Sequence, residues 1–135
     1  MKLLRILTHP IVVIALFCLT LVSGKHLGGV YLLYLLMAIP HGASHAILAI
    51  AGMGILLFGY YRNNRGTVGW VPMLLSVVGV ACLFCSLFLF FRNSWHYNAD
   101  TFSQPVPIAT YILFGSAAIG YLLFQIIGYQ RRRSE

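Results

Sequence analysis

The feature that most constrains this chain is where it carries no charge. Val68 to Phe91 and Val106 to Tyr129 each run for about 24 residues without Asp, Glu, Lys or Arg. About 20 apolar residues suffice for a helix to cross the hydrocarbon core of a bilayer. Inside that core the backbone has no water to bond with, so an uncharged run of this length is predicted to close its own hydrogen bonds as a helix. Proline stands only in the first turn of these runs, at Pro72, Pro105 and Pro107, where a missing N–H is tolerated. Trp70 and Tyr129 fall near one boundary, and Trp95 and Tyr97 near the other, as amphipathic aromatics do at membrane interfaces.

Composition extends this reading to the whole chain. Only 8% of the 135 residues are charged, against about 25% in a soluble domain. So few charges cannot clothe a water-facing surface, and the length leaves no room for a second domain. The formal charge of +7 does not indicate nucleic-acid binding. The cations sit in short clusters between apolar runs, with no basic face interleaved with aromatics outside them. The three cysteines, Cys18, Cys82 and Cys85, lie inside apolar runs, so a secreted disulfide scaffold is excluded as well.

Two further spans are predicted with less regular boundaries. The first, at about 6–24, is interrupted by His9-Pro10 and follows a short basic leader. Its Val-Ser-Gly end also suits a cleaved signal peptide, and an uncleaved helix is the favoured reading. The second lies within Leu27–Tyr61, an uncharged stretch of about 35 residues. As one straight helix it would measure about 52 Å, longer than a bilayer with its headgroups at about 40–45 Å. A bend is therefore expected at Pro40-His41-Gly42. The spanning helix is then 43–61, with 27–40 as either its tilted extension or a re-entrant or interfacial arm.

The expected fold is thus all-α: a polytopic membrane protein of four helices at about 6–24, 43–61, 68–91 and 106–129. Charge placement decides between four spans and five. With the N-terminus inside, four spans leave about seven cations inside (Lys2, Arg5, Arg62, Arg65 and Arg131–Arg133) and two outside (Lys25, Arg92). A fifth span at 27–40 would invert this to about three against six, contrary to the positive-inside rule. Both termini are therefore expected on the cytoplasmic side of a plasma membrane, such as a bacterial inner membrane.

Function is constrained mainly by missing groups. The only acidic residues are Asp100, in the loop before the last span, and Glu135. Proton-coupled transport and intramembrane hydrolysis ordinarily need a carboxylate or comparable base inside the bundle. The expectation is a non-catalytic protein, an accessory or assembly subunit packing against partner helices. Small residues mark the faces for such packing: Ala49, Gly52 and Gly59 in the second span, and Gly115–Ala118 with Gly120 in the last. There Ser116 and Gly120 stand at the four-residue spacing of close helix crossings.

Histidine supports the alternative. His41 and His45, four residues apart, would share a face of a continuous helix. His26, His96 and Asp100 are expected near the same end. Two imidazoles with a third ligand would suit a transition metal or haem site, or a path for a metal ion. The structural reading is that these rings cap carbonyls freed by the Pro40 bend. Cys82-Leu83-Phe84-Cys85 places two thiols one turn apart, but in surroundings that keep them neutral and favour a packing role. His9, beside Pro10, reads as a helix-end residue, and Gln125 as a hydrogen-bonding group between helices.

Overall fold

The computed structural model describes residues 9–23, 28–64 and 70–133. They form helix α1 (Pro10–Cys18), strands β1 (Leu21–Ser23) and β2 (Gly28–Val30), and helix α2 (Tyr31–Ala38), which runs into a 3-10 turn at Ile39–His41. Helices α3 (Ser44–Asn64), α4 (Trp70–Asn98) and α5 (Pro105–Arg133) follow, with a second 3-10 turn, Ala99–Ser103, between the last two. Among the described residues three stretches are long and apolar enough to cross a membrane: Ser44–Asn63, Trp70–Ser103 and Pro105–Arg131. They overlap the spans expected at 43–61, 68–91 and 106–129, residues 68 and 69 lying outside the described residues.

Helices α3 and α4 form the tightest pair, and glycine allows it. A Cβ on Gly79 would lie 2.7 Å from Leu56 Cγ and 3.1 Å from the Gly52 carbonyl oxygen, while one on Gly52 would lie 3.0 Å from the Gly79 carbonyl oxygen. The two backbones therefore approach through a mutual notch, with Leu56 and Leu83 fully buried beside it. This is the small-residue crossing that helices use where lipid offers no hydrophobic drive to associate.

Helix α4 bends near its end. Ser94 leaves helical geometry at φ −122° and ψ 20°. Its hydroxyl donates to the Phe90 carbonyl at 2.6 Å and accepts from Asn98 Nδ2 at 2.9 Å. A hydroxyl bonded back onto the preceding turn is a common cause of such kinks. From Trp70 to Arg92 the helix rises about 33 Å, close to the thickness of a hydrocarbon core. The bend thus falls where the chain would leave that core.

The N-terminal leg departs from the single helix expected at 6–24. Among the described residues its helix occupies only Pro10–Cys18, about 14 Å, and the chain then extends into β1. His9 caps α1, its Nδ1 accepting from the Ile11 N–H at 3.3 Å, which matches its reading as a helix-end residue. At the far end the Thr20 hydroxyl donates to the Phe17 carbonyl at 2.8 Å, occupying an acceptor that a continuing helix would have used. β1 then pairs antiparallel with β2, Leu21 facing Val30 and Ser23 facing Gly28.

An open hairpin edge is costly in an apolar medium. Here two threonines from distant parts of the chain close it. The Leu21 N–H donates to Thr110 Oγ1 at 3.0 Å. Ser23 makes a reciprocal pair with Thr101, its N–H donating to Oγ1 at 3.0 Å and its carbonyl accepting from the same hydroxyl at 2.9 Å. Both edges of β1 are therefore covered, one by β2 and the other by the start of α5 and the turn before it.

The bend expected at Pro40–Gly42 is present, and it separates α2 from α3. Gly42 adopts φ 63°, the left-handed geometry that ends helices. The Ala43 N–H returns to the Ala38 carbonyl at 3.3 Å and the Gly42 N–H to Ile39 at 3.1 Å, the two bonds of a Schellman cap. Residues 31–41 are therefore a separate arm and not an extension of the α3 helix. The arm buries Tyr31 and Leu35 in the bundle and exposes Leu33, Leu36 and Met37.

Candidate functional site

The structure sets apart the histidines that the sequence groups together. His41 and His45 would share a helix face only if the helix between them were continuous, and Gly42 breaks it. The exposed His41 ring instead turns back on its own arm, Nδ1 lying 3.0 Å from the Met37 carbonyl oxygen. His45 packs edge-on against Phe90, ring centroids 5.4 Å apart, with Nε2 buried and unpartnered among the described residues. His96 is exposed on the last turns of α4, and His26 lies outside the described residues. Among the described residues no three of His, Cys, Asp and Glu gather where they could hold a metal ion. Cys18, Cys82 and Cys85 are free thiols.

Two tyrosine–serine pairs stand among the buried polar groups, while the Tyr111 hydroxyl, like His45 Nε2, is buried without a partner among the described residues. Ser86 Oγ donates to the His45 carbonyl at 2.7 Å, so its one proton is committed. The Tyr31 hydroxyl, 2.9 Å away, must then be the donor of that contact. Ser76 Oγ likewise donates to the Pro72 carbonyl at 3.0 Å, which makes Tyr121 the donor across 2.9 Å. The first pair ties α2 and α3 to α4, and the second ties α4 to α5. Gln125 accepts from Asn63 Nδ2 at 3.4 Å, linking α3 and α5 as its position suggested. Each of these protons is held in a fixed structural bond.

The small-residue faces divide. Ala49 and Gly52 are buried in the crossing with α4, so that side of α3 is used within the chain. Helix α5 behaves differently. Phe114, Ala118 and Tyr121 form its buried side, and at 100° per residue Ile112, Ser116, Gly120, Leu123 and Ile127 lie on the opposite one. Ser116 is exposed, and a Cβ placed on Gly120 would meet nothing within 4 Å among the described residues. Ile112 and Ile127 are 63% and 62% exposed. This face is open among the described residues, with the small Ser116 and Gly120 set among exposed apolar side chains.

A deeper feature was not singled out from the sequence. Between α4 and α5 lies a cleft of about 520 Å³. Phe84, Phe88, Phe91 and Trp95 of α4 line one wall, and Tyr111 and Phe114 of α5 the other, with Phe102 at one end. The rings contact one another: Phe84 and Phe114 lie 5.0 Å apart, Phe91 and Phe102 4.8 Å, and Trp95 stacks on Phe102 at 5.9 Å. Arg92 supplies the one charged side chain of the lining. The signal for this cleft was the 84, 88, 91, 95 spacing, which places four aromatics on one helix face.

Comparison with known protein families, with curated proteins and with solved structures finds no match to this chain.

Proposed function

We propose that this chain is a small, non-catalytic, multi-pass membrane protein that acts as an accessory or assembly subunit by packing α5 against a partner helix. The observation that carries this reading is the open face of α5. Inside the chain, the close approach of α3 and α4 uses up glycine at Gly52 and Gly79. Gly120 offers the same absence of a side chain with nothing against it, beside an exposed Ser116. The buried hydroxyls of Ser76, Ser86, Tyr31 and Tyr121 are committed to structural bonds, which fits a packing role for those four groups.

The same reading includes four crossings with both termini on the cytoplasmic side. The fourth crossing is the N-terminal leg: α1 contributes about 14 Å, Leu19 and Thr20 turn the chain out of the helix, and the three extended residues Leu21–Ser23 add about 10 Å. The leg runs from His9, whose ring meets Tyr60 near the end of α3 at 4.5 Å, to Thr101 beyond the end of α4. Val13 and Phe17 are fully buried in the core, which supports retention of this leg in the mature protein.

The test is a double substitution, Ser116→Leu with Gly120→Leu. Both side chains would project from α5 into open space, so the thermal midpoint of the chain in detergent should stay near that of wild type. The mass of the wild-type particle extracted in mild detergent, measured by light scattering, should exceed one chain and fall to one chain in the variant. An assembly that survives both leucines, or a wild type that is already single in mild extracts, contradicts the proposal.

A further inference from the structure

We propose that the cleft between α4 and α5 is a binding site for an anionic phospholipid, with an acyl chain against the aromatic walls and the phosphate at Arg92. Three observations carry this. The first is depth: Phe84 to Arg92 spans about 12 Å along α4, within the stretch of membrane-crossing composition. At that depth the medium in contact with an apolar cleft is lipid hydrocarbon and not water.

The second observation is charge. Arg92 is exposed and has no hydrogen-bond or ion-pair partner among the described residues. It lies about 33 Å along the helix from Trp70, where a hydrocarbon core of about 30 Å gives way to headgroups. A guanidinium at that level is matched by a phosphate oxygen pair, which it can hold with two parallel N–H bonds. Asp100, the acidic residue nearest in sequence, is absent from the cleft lining.

The third is shape. The bend at Ser94 comes directly after Arg92, and Trp95 and Phe102 stack at the same end of the cleft. An amphipathic indole at that position fits the junction between chain and headgroup. The cleft lies on the buried side of α5, roughly opposite the Ser116 and Gly120 face, so its occupancy is independent of the partner packing proposed above.

Trp95 provides the readout. The sequence has two tryptophans, so Trp70→Phe leaves Trp95 as the only one. The protein is reconstituted in unlabelled phosphatidylcholine containing small fractions of phosphatidylglycerol or phosphatidylcholine brominated in the upper part of the acyl chains. Bromine quenches indole fluorescence on contact, so quenching at matched fraction compares occupancy of the cleft. Brominated phosphatidylglycerol should be preferred about fivefold, the scale of one cation near an anionic headgroup. Arg92→Lys should keep most of that preference. Arg92→Gln should reduce it to near unity while its far-ultraviolet circular dichroism stays that of the parent. Equal quenching by the two lipids, absence of quenching by either, or a preference that survives Arg92→Gln would each overturn the proposal.

Discussion

Gly79→Ile should be the most disruptive single substitution in the chain. The new Cβ alone would lie 2.7 Å from Leu56 Cγ and 3.1 Å from the Gly52 carbonyl oxygen. Leu56 is fully buried and cannot swing out of the way, and the second contact is backbone. Relief requires α3 and α4 to separate, which opens the most extensive interface in the bundle. Overpacked cores lose about 1–3 kcal/mol, and this site belongs at or beyond the upper end because backbone must move. Total stability is commonly about 5–15 kcal/mol, so a fall of many degrees in the thermal midpoint and a loss of monodisperse protein are expected. Gly54→Ile is the control. It lies on the same helix as Gly52 with nothing within 4 Å of its would-be Cβ, and its midpoint should stay close to wild type. Equal behaviour of the two variants would contradict the close-crossing account.

The second large effect is expected at Thr101→Val, a change of nearly constant volume. Thr101 is fully buried, and its hydroxyl serves both the N–H and the carbonyl of Ser23. Valine leaves both groups without a partner, at about 1–3 kcal/mol for each. The Leu21 bond to Thr110 remains, so β1 should loosen from its Ser23 end without the long helices parting. Hydrogen–deuterium exchange should rise in a peptide covering Leu19–Ser23 and stay unchanged in α3 and α4. Thr101→Ser, which keeps the hydroxyl, should retain wild-type protection. If Thr101→Val left exchange at β1 unchanged, the edge-covering role would be wrong.

These two sites show which parts of the architecture can be read in the sequence. The long helices were legible because lipid imposes one solution on an uncharged run: about 20 residues, self-bonded, with charges at the ends. The break at Pro40–Gly42 was legible because Gly42 supplies a backbone geometry that other residues adopt at a cost. The inward direction of the Ala49 and Gly52 face was also legible, from small residues at helical spacing. The strand half of the N-terminal leg was not. Its edge bonds reach 78 and 89 residues along the chain, and an apolar run such as Leu16–Val22 does not by itself distinguish helix from strand.

The candidate sites follow the same division. His41 and His45 drew attention because histidine stands out in an apolar sequence, but their shared face assumed a continuous helix that the αL geometry of Gly42 does not allow. The cleft is not legible in the sequence, because Phe84, Phe88 and Phe91 look like ordinary lipid-facing residues within an apolar run. α5 packs on α1 and β1 as well as on α4, and the space left between α4 and α5 brings those rings into one cleft. Ser116 and Gly120 were recognised as a crossing motif, yet their outward direction depends on which side of α5 carries Phe114 and Tyr121.

In the proposed topology the N-terminal leg, helix continued by strand, makes a fourth crossing beside the three long helices and α5 stays open to a partner. Sidedness of labelling tests this most directly. In a chain with Cys18, Cys82 and Cys85 replaced by alanine, single cysteines are placed at Lys2, Ser103 and Ser134. Intact cells are treated with a membrane-impermeant maleimide. The account predicts labelling at residue 103 alone, with residues 2 and 134 reacting only after the cells are opened. Labelling of residue 2 from outside, or its absence from the mature chain, would show that the leg does not make the fourth crossing and would contradict the account.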